Sequence, residues 1–233
     1  QHLHPALLKK NLLILIAGQA CLHTCMTGMR MAAPLLALRQ GHSPAMVGLL
    51  LALFALTQVF LALPSGRYVD RHGLKRPVML SVLASSLGAL LAAVWPWFPV
   101  LCVSALLCGG ATGVAIIALQ RHVGRLSRDV HEMRLSYSWL AIGPAASNLV
   151  GPLAAGVLID VSGFSAAFAL LAALPWLAWF AVRHQAPLAA DERVVNDPSK
   201  RAWDLLAEPG FMRLLMVNWF LSASWDLHTF VVP

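Results

Sequence analysis

Charged side chains are what this sequence has least of. Asp, Glu, Lys and Arg make up 12% of its 233 residues, about half the share that a water-facing surface uses. With 59% hydrophobic residues and a mean hydropathy of +0.71, that scarcity excludes a soluble domain and places the chain in lipid. No apolar run alternates with period two, and all are longer than the ~10 residues of a membrane β-strand, which excludes a barrel. The phosphate-cradling G-x4-G-K-[ST] is missing, so ATP does not drive this chain directly. There is no G-x-S-x-G, no H-E-x-x-H and no pair of intramembrane carboxylates, so no catalytic set supports an enzyme. The four cysteines, Cys21, Cys25, Cys102 and Cys108, all fall in apolar runs, and although His23 stands between Cys21 and Cys25, no C-x-x-C or further His–Cys partner completes a metal site. Helix packing is their reading, and neither a metal site nor a cofactor is expected. A cleavable signal is not expected either, because the first apolar run is too long and no A-x-A-like site follows it.

What is present is a series of apolar runs, each long enough for the about 20 helical residues that cross a bilayer. They fall at 10–37, 45–66, 77–97, 99–120, 136–159, 163–183 and 211–232. The expected fold class is an all-α polytopic membrane protein. A pI near 9.8 would point a soluble protein towards nucleic acid. Here the basic residues sit in the connections between runs, so the bias reports topology and no nucleic-acid partner is expected. With Lys9 and Lys10 in the cytoplasm, fifteen of the seventeen Lys and Arg residues fall on that side, Arg39 falls outside and Arg30 lies within a span. The N-terminus is therefore expected to be cytoplasmic, in an inner membrane.

Two copies of one pattern lie ninety residues apart. Gly66-x3-Asp70-x2-Gly73-Leu74 follows the second run, and Gly156-x3-Asp160-x2-Gly163-Phe164 follows the fifth. Spans 1–3 and 4–6 thus read as two three-helix repeats. An odd number of spans per repeat inverts the second copy, a transporter signature. The organisation expected is a six-span bundle over 1–184, a polar cytoplasmic linker over 185–209 and the first helix of a second bundle over 210–233. Without an initiator Met, and ending in its seventh span, the chain is expected to be part of a longer one.

The segment "GRYVDRHGLKR", with Gly66, Asp70, Arg71, Gly73, Lys75 and Arg76, resembles the signature loop of the major facilitator superfamily. Leu74 departs from it, since the family usually has a basic residue there. The resemblance implies two six-helix bundles around a cavity that opens alternately to each side, with small-molecule transport and no enzymatic activity. It makes this loop a gate: the glycines allow a tight turn and close helix approach, while Asp70 pairs with helix N–H groups or an Arg, Arg71 included. The simpler reading is that these charges fix topology and meet anionic lipid. In span five, "GPAASNLVGPLAAG", with Gly143, Pro144, Gly151, Pro152 and Gly156, resembles the glycine–proline motif associated with the family's antiporters. It reads equally as small-residue packing. Span four lacks the Arg that many proton-coupled members carry, reading "SALLCGGATG" instead.

A polar stripe on span one, Gln19, His23, Thr27 and Arg30, falls within about 80° of arc, and such a stripe is expected to line a cavity. Arg30 is the candidate for an anionic group, or else it snorkels to the outer headgroups. In span seven, Asn218, Ser222, Trp225 and Thr229 form a second stripe with Asp226 beside it. Asp226 is the candidate proton carrier and a partner for Arg30. Gln58, Trp139 and Asn148 are further polar candidates. The function expected is secondary transport of a small organic solute, outward with protons as the exchanged ion, by a monomer in the lipid bilayer. An importer of the same fold is the alternative, and an enzyme or sensor the distant one.

Overall fold

The structure, a computed structural model, describes residues 5–127, 129–184 and 209–231, with side chains for 12–127, 129–184 and 210–224. Its described residues are helical apart from short turns: α1 (Pro5–Arg39), α2 (Pro44–His72), α3 (Lys75–Val94), α4 (Phe98–Leu126), α5 (Val130–Leu140), α6 (Ile142–Ser162), α7 (Phe164–Ala173), α8 (Pro175–Arg183) and α9 (Pro209–Val231). Residues 1–190 form one compact unit and 191–233 another. The first unit holds six spans long and apolar enough to cross a membrane, α5–α6 and α7–α8 each counting as one.

Local chemistry explains where the helices start and break. Ser43 caps α2 by accepting the Met46 N–H, with Pro44 in the first turn. Asp129 caps α5 by accepting the Glu132 N–H at 2.7 Å, so the otherwise unmet amides of that helix start are satisfied. Spans five and six are each interrupted where a proline lacks the N–H that would reach four residues back. Pro144 leaves the Leu140 carbonyl without that bond, and helical bonding resumes as Ala145 N–H meets the Ala141 carbonyl at 3.3 Å. Pro175 does the same after Leu174.

The helices also run further than the hydropathy runs. α2 continues to His72 and α4 to Leu126, six residues past each expected end. A hydropathy window stops at the first charges, but helical hydrogen bonding does not. The connection carrying the signature pattern is therefore mostly helix, with only Gly73 and Leu74 between α2 and α3.

α1 is the central helix, packed against α6, α8, α4 and α7, while α2 and α3 pack on α4. Two apolar clusters fill the bundle along its length. One holds Met29, Leu36, Phe54, Leu101 and Phe168, and the other holds Leu15, Leu22, Val69, Val82 and Val123. Between helices in lipid, close packing and interhelical hydrogen bonds take the place of the hydrophobic drive. The two broadest contacts, α2 on α4 and α1 on α6, show this in detail.

Candidate functional site

The inverted repeat is built into these two crossings. Thr57 of α2 and Ser147 of α6 stand ninety residues apart. The Thr57 hydroxyl reaches the Leu53 carbonyl of its own helix at 3.2 Å and the Leu106 carbonyl of α4 at 3.0 Å. The Ser147 hydroxyl reaches the Gly143 carbonyl at 2.7 Å and the Ala20 carbonyl of α1 at 2.9 Å. Each crossing needs glycine. A methyl on Gly109 would run into the backbone of Phe54, and one on Gly151 would meet the Thr27 hydroxyl, the Thr24 carbonyl at 2.9 Å and the Gly28 nitrogen at 3.0 Å.

The two motif corners are built alike at opposite ends of the bundle. Gly73 (φ +69°) and Gly163 (φ +85°) end α2 and α6 in a backbone conformation that disfavours any side chain. Each donates its N–H four residues back, to Val69 and Ile159. Gly66 and Gly156 are helical, contrary to the expectation that Gly66 turns the chain; their part is to leave room for a side chain from the neighbouring helix. At Gly66 that side chain is Arg121 of α4, whose guanidinium would lie 3.3 Å from an added Cβ; at Gly156 it is Met31 of α1, at 3.2 Å.

Arg121 crosses Gly66 to form an ion pair with Asp70, one turn further along α2. Asp70 thus pairs with an arginine fifty-one residues away and not with adjacent Arg71, which is exposed about 100° round the helix. Arg76 is also exposed and Lys75 half-buried. The pair joins two helices of one bundle. Because Arg121 is 43% exposed, it contributes at most about 1 kcal/mol. Sequence reasoning missed Arg121. The signal that would have found it is the ninety-residue register, which places it opposite Met31.

The span-five motif is a packing seam as built. Gly143 lies against the Ile16 carbonyl and the Gln19 side chain, Gly151 against Thr24, Thr27 and Gly28, and Gly156 against Met31. Pro144 marks the break between α5 and α6, and Pro152 is carried inside α6.

Of the span-one stripe, Gln19 and His23 are each 8% exposed, and Arg30 is exposed. Asn148 of α6 and Arg30 are polar neighbours of His23. Thr27 departs from the expectation: its hydroxyl donates to the Ser147 carbonyl at 2.9 Å, so it is spent on the α1–α6 crossing. Arg30 does not stand at a helix end, because α1 continues nine residues beyond it to Arg39, about 13 Å further. Arg39 is the residue at the tip, stacked 5.1 Å over the Phe164 ring. Gln58 is half-buried with its Cγ against Gly113, and Trp139 and Asn148 are exposed. Cys25 adjoins Cys108 of α4 and not a metal-ligating set; both thiols are buried and free.

In the second unit, Asn218 and Ser222 lie on α9 with exposed side chains. The side chains of Trp225, Asp226 and Thr229, and with them the pairing of Arg30 with Asp226, fall outside the described residues, as does the linker at 185–208.

Comparison with known proteins agrees with this architecture. The chain is similar to "Multidrug resistance protein 1" of Bacillus subtilis (strain 168), with 29% identity over 134 residues, which is 55% of this chain and 34% of the relative. It thus aligns with about a third of that protein's length. The profile described as Major Facilitator Superfamily matches residues 15–233, nearly the whole chain, and with the helical layout above it assigns this multi-pass membrane protein to the Major Facilitator Superfamily.

Proposed function

We infer that the chain is part of a secondary transporter, not an enzyme, that carries a small organic solute outward across the cytoplasmic membrane in exchange for protons. The observation that carries the transport reading is the inverted repeat, with its matched crossings and corners. Two like units facing opposite ways supply two like gates, which alternating access requires. The outward direction is supported by the similarity to a protein named for multidrug resistance and by the glycine–proline pattern of span five. Lys and Arg positions support a cytoplasmic N-terminus, and the working form is a monomer. Asp226, the one carboxylate in the seventh apolar run, is the proton carrier in this reading.

An importer is the second reading, favoured by one observation: span four carries "SALLCGGATG" without the Arg of many proton-coupled relatives. Everted vesicles containing the full-length protein under a proton gradient separate the two. A solute that collapses the gradient in wild type but not in Asp226→Asn supports proton-coupled export. Uptake into right-side-out vesicles with no proton movement in everted ones would reverse the direction.

A further inference from the structure

We propose that His23, held between Gln19 and Asn148 at the α1–α6 crossing, is a proton-binding site, in which one proton on Nδ1 pairs two buried atoms that otherwise have no partner. For its use the site rests on the proton-exchange reading above, to which it adds a second carrier, on α1; its existence is tested without that reading. The ground is a pair of atoms with the same need. Gln19 and His23 are more than nine-tenths buried, yet Gln19 Oε1 and His23 Nδ1 have no hydrogen-bond partner. Buried polar atoms are nearly always paired. The imidazole shares a hydrogen bond with the Asn148 side chain of α6, and with Nδ1 unpaired that bond runs through Nε2. When Nε2–H donates to the Asn148 amide oxygen, the neutral ring carries a bare lone pair at Nδ1. Two acceptors cannot bond each other. A proton on Nδ1 turns one of them into a donor for the other, and both are satisfied at once.

The helix brings the two within reach. Residues four apart are neighbours on one face, with Cβ atoms about 5–6 Å apart, and helical side chains lean towards the N-terminus. His23 therefore leans over Gln19, whose Oε1 lies 3.7 Å from where a Cβ on Gly143 of α6 would stand. Asn148 is exposed, so the ring lies one hydrogen bond beneath the surface. Imidazole is also the side chain whose ordinary titration falls nearest neutrality. A buried imidazolium is costly unless both its N–H groups are bonded, which Asn148 and Gln19 provide. The charges around it are few. On α1 the ionisable neighbours are Cys21, Cys25 and Arg30, the last about 10 Å further along the helix, and α4 brings Cys108 against Cys25. Among the described residues α6 holds only Asp160, twelve residues beyond Asn148, α8 only Arg183 at its tip, and α7 none. The charges of α2, α3 and α5, and the remaining ones of α4, cluster around the α2–α3 and α4–α5 connections. Arg30 is the charge that acts on the ring, and as a like charge it opposes the proton. That opposition keeps the proton releasable, as a carrier requires.

The test reads the protonation state of His23 in the purified full-length protein, isotope-labelled at its histidine nitrogens and held in phosphatidylcholine bilayers. Neutral and protonated imidazole nitrogens resonate apart by NMR, and the His23 signal is the one that His23→Gln removes. The ring is expected to take up a proton between pH 8 and pH 5, with both nitrogens then hydrogen-bonded. Gln19→Leu, which keeps the bulk but not the acceptor, is expected to weaken the proton affinity at least tenfold. Arg30→Gln is expected to strengthen it several-fold. The opposite responses guard against a folding defect, which would move both variants the same way. A ring that stays neutral down to pH 5 overturns the proposal and leaves Nδ1 to a water or to a turned Gln19 amide. A proton affinity unchanged in Gln19→Leu overturns it too. The everted-vesicle experiment decides the exchange reading separately. A titrating His23 in a protein whose solutes move no protons keeps the site and rejects the exchange; proton exchange with a His23 that stays neutral does the reverse.

Discussion

The corner at Gly66–Gly73 and the corner at Gly156–Gly163 have one backbone and two chemistries. Both place a glycine under a side chain from the neighbouring helix, both carry an aspartate one turn later, and both close on a glycine of positive φ. At the first, the overlying side chain is Arg121 and Asp70 is paired. At the second it is Met31, and exposed Asp160 has no ion-pair partner among the described residues. The backbone requirement is repeated and the charge is not. The central helices differ in the same way: in the ninety-residue register, Gln19 and His23 of α1 fall opposite Gly109 and Gly113 of α4. Where α1 presents polar groups, α4 lets α2 come close. The same register position is filled by a polar side chain in one repeat and by a packing glycine in the other.

Five substitutions sharpen this contrast. The largest effect belongs to what the repeats share. Gly109→Ala and Gly151→Ala each force a methyl into a neighbouring backbone, and each is expected to cost about 3 kcal/mol or more, read as a collapse in melting temperature and in monodisperse yield. If either variant melts like wild type, that crossing is looser than described here. A smaller effect separates the corners. Asp70→Asn is expected to lower stability by no more than about 1 kcal/mol while changing transport rate several-fold; Asp160→Asn should leave both unchanged. Equal effects at the two sites would erase the distinction between paired and unpaired corners. The smallest effect comes from Met31→Arg, which puts a guanidinium where the second corner lacks one. It is expected to add well under 1 kcal/mol, lost at high salt. Labelling of a single cysteine placed near Gly163 should slow if the new pair forms.

Much of the architecture was legible because lipid makes simple demands. Apolar runs of membrane length had to be helices, and the glycine spacing had to repeat because φ above zero and close helix approach tolerate little else. Helix ends were misjudged for an equally physical reason: Asp70, Arg71 and Arg121 sit on helix, past the point where hydropathy falls. The partner of Asp70 was not legible locally, since Arg121 is brought there by the packing of α4 on α2. Thr27 was placed on the cavity stripe by its angle on one helix, which carries no record of the Ser147 carbonyl opposite.

The α1–α6 crossing also bears on how the chain is made. The bond from Thr27 to Ser147 spans 120 residues, so α1 is synthesised long before the helix that covers it. At ~5–20 residues per second, roughly 6–24 s pass between the two. During that interval Gln19, His23 and Arg30 are in or beside the membrane without their neighbour. The first helix of this bundle is also among the last to be enclosed, because α6, α7 and α8, which pack against it, belong to spans five and six.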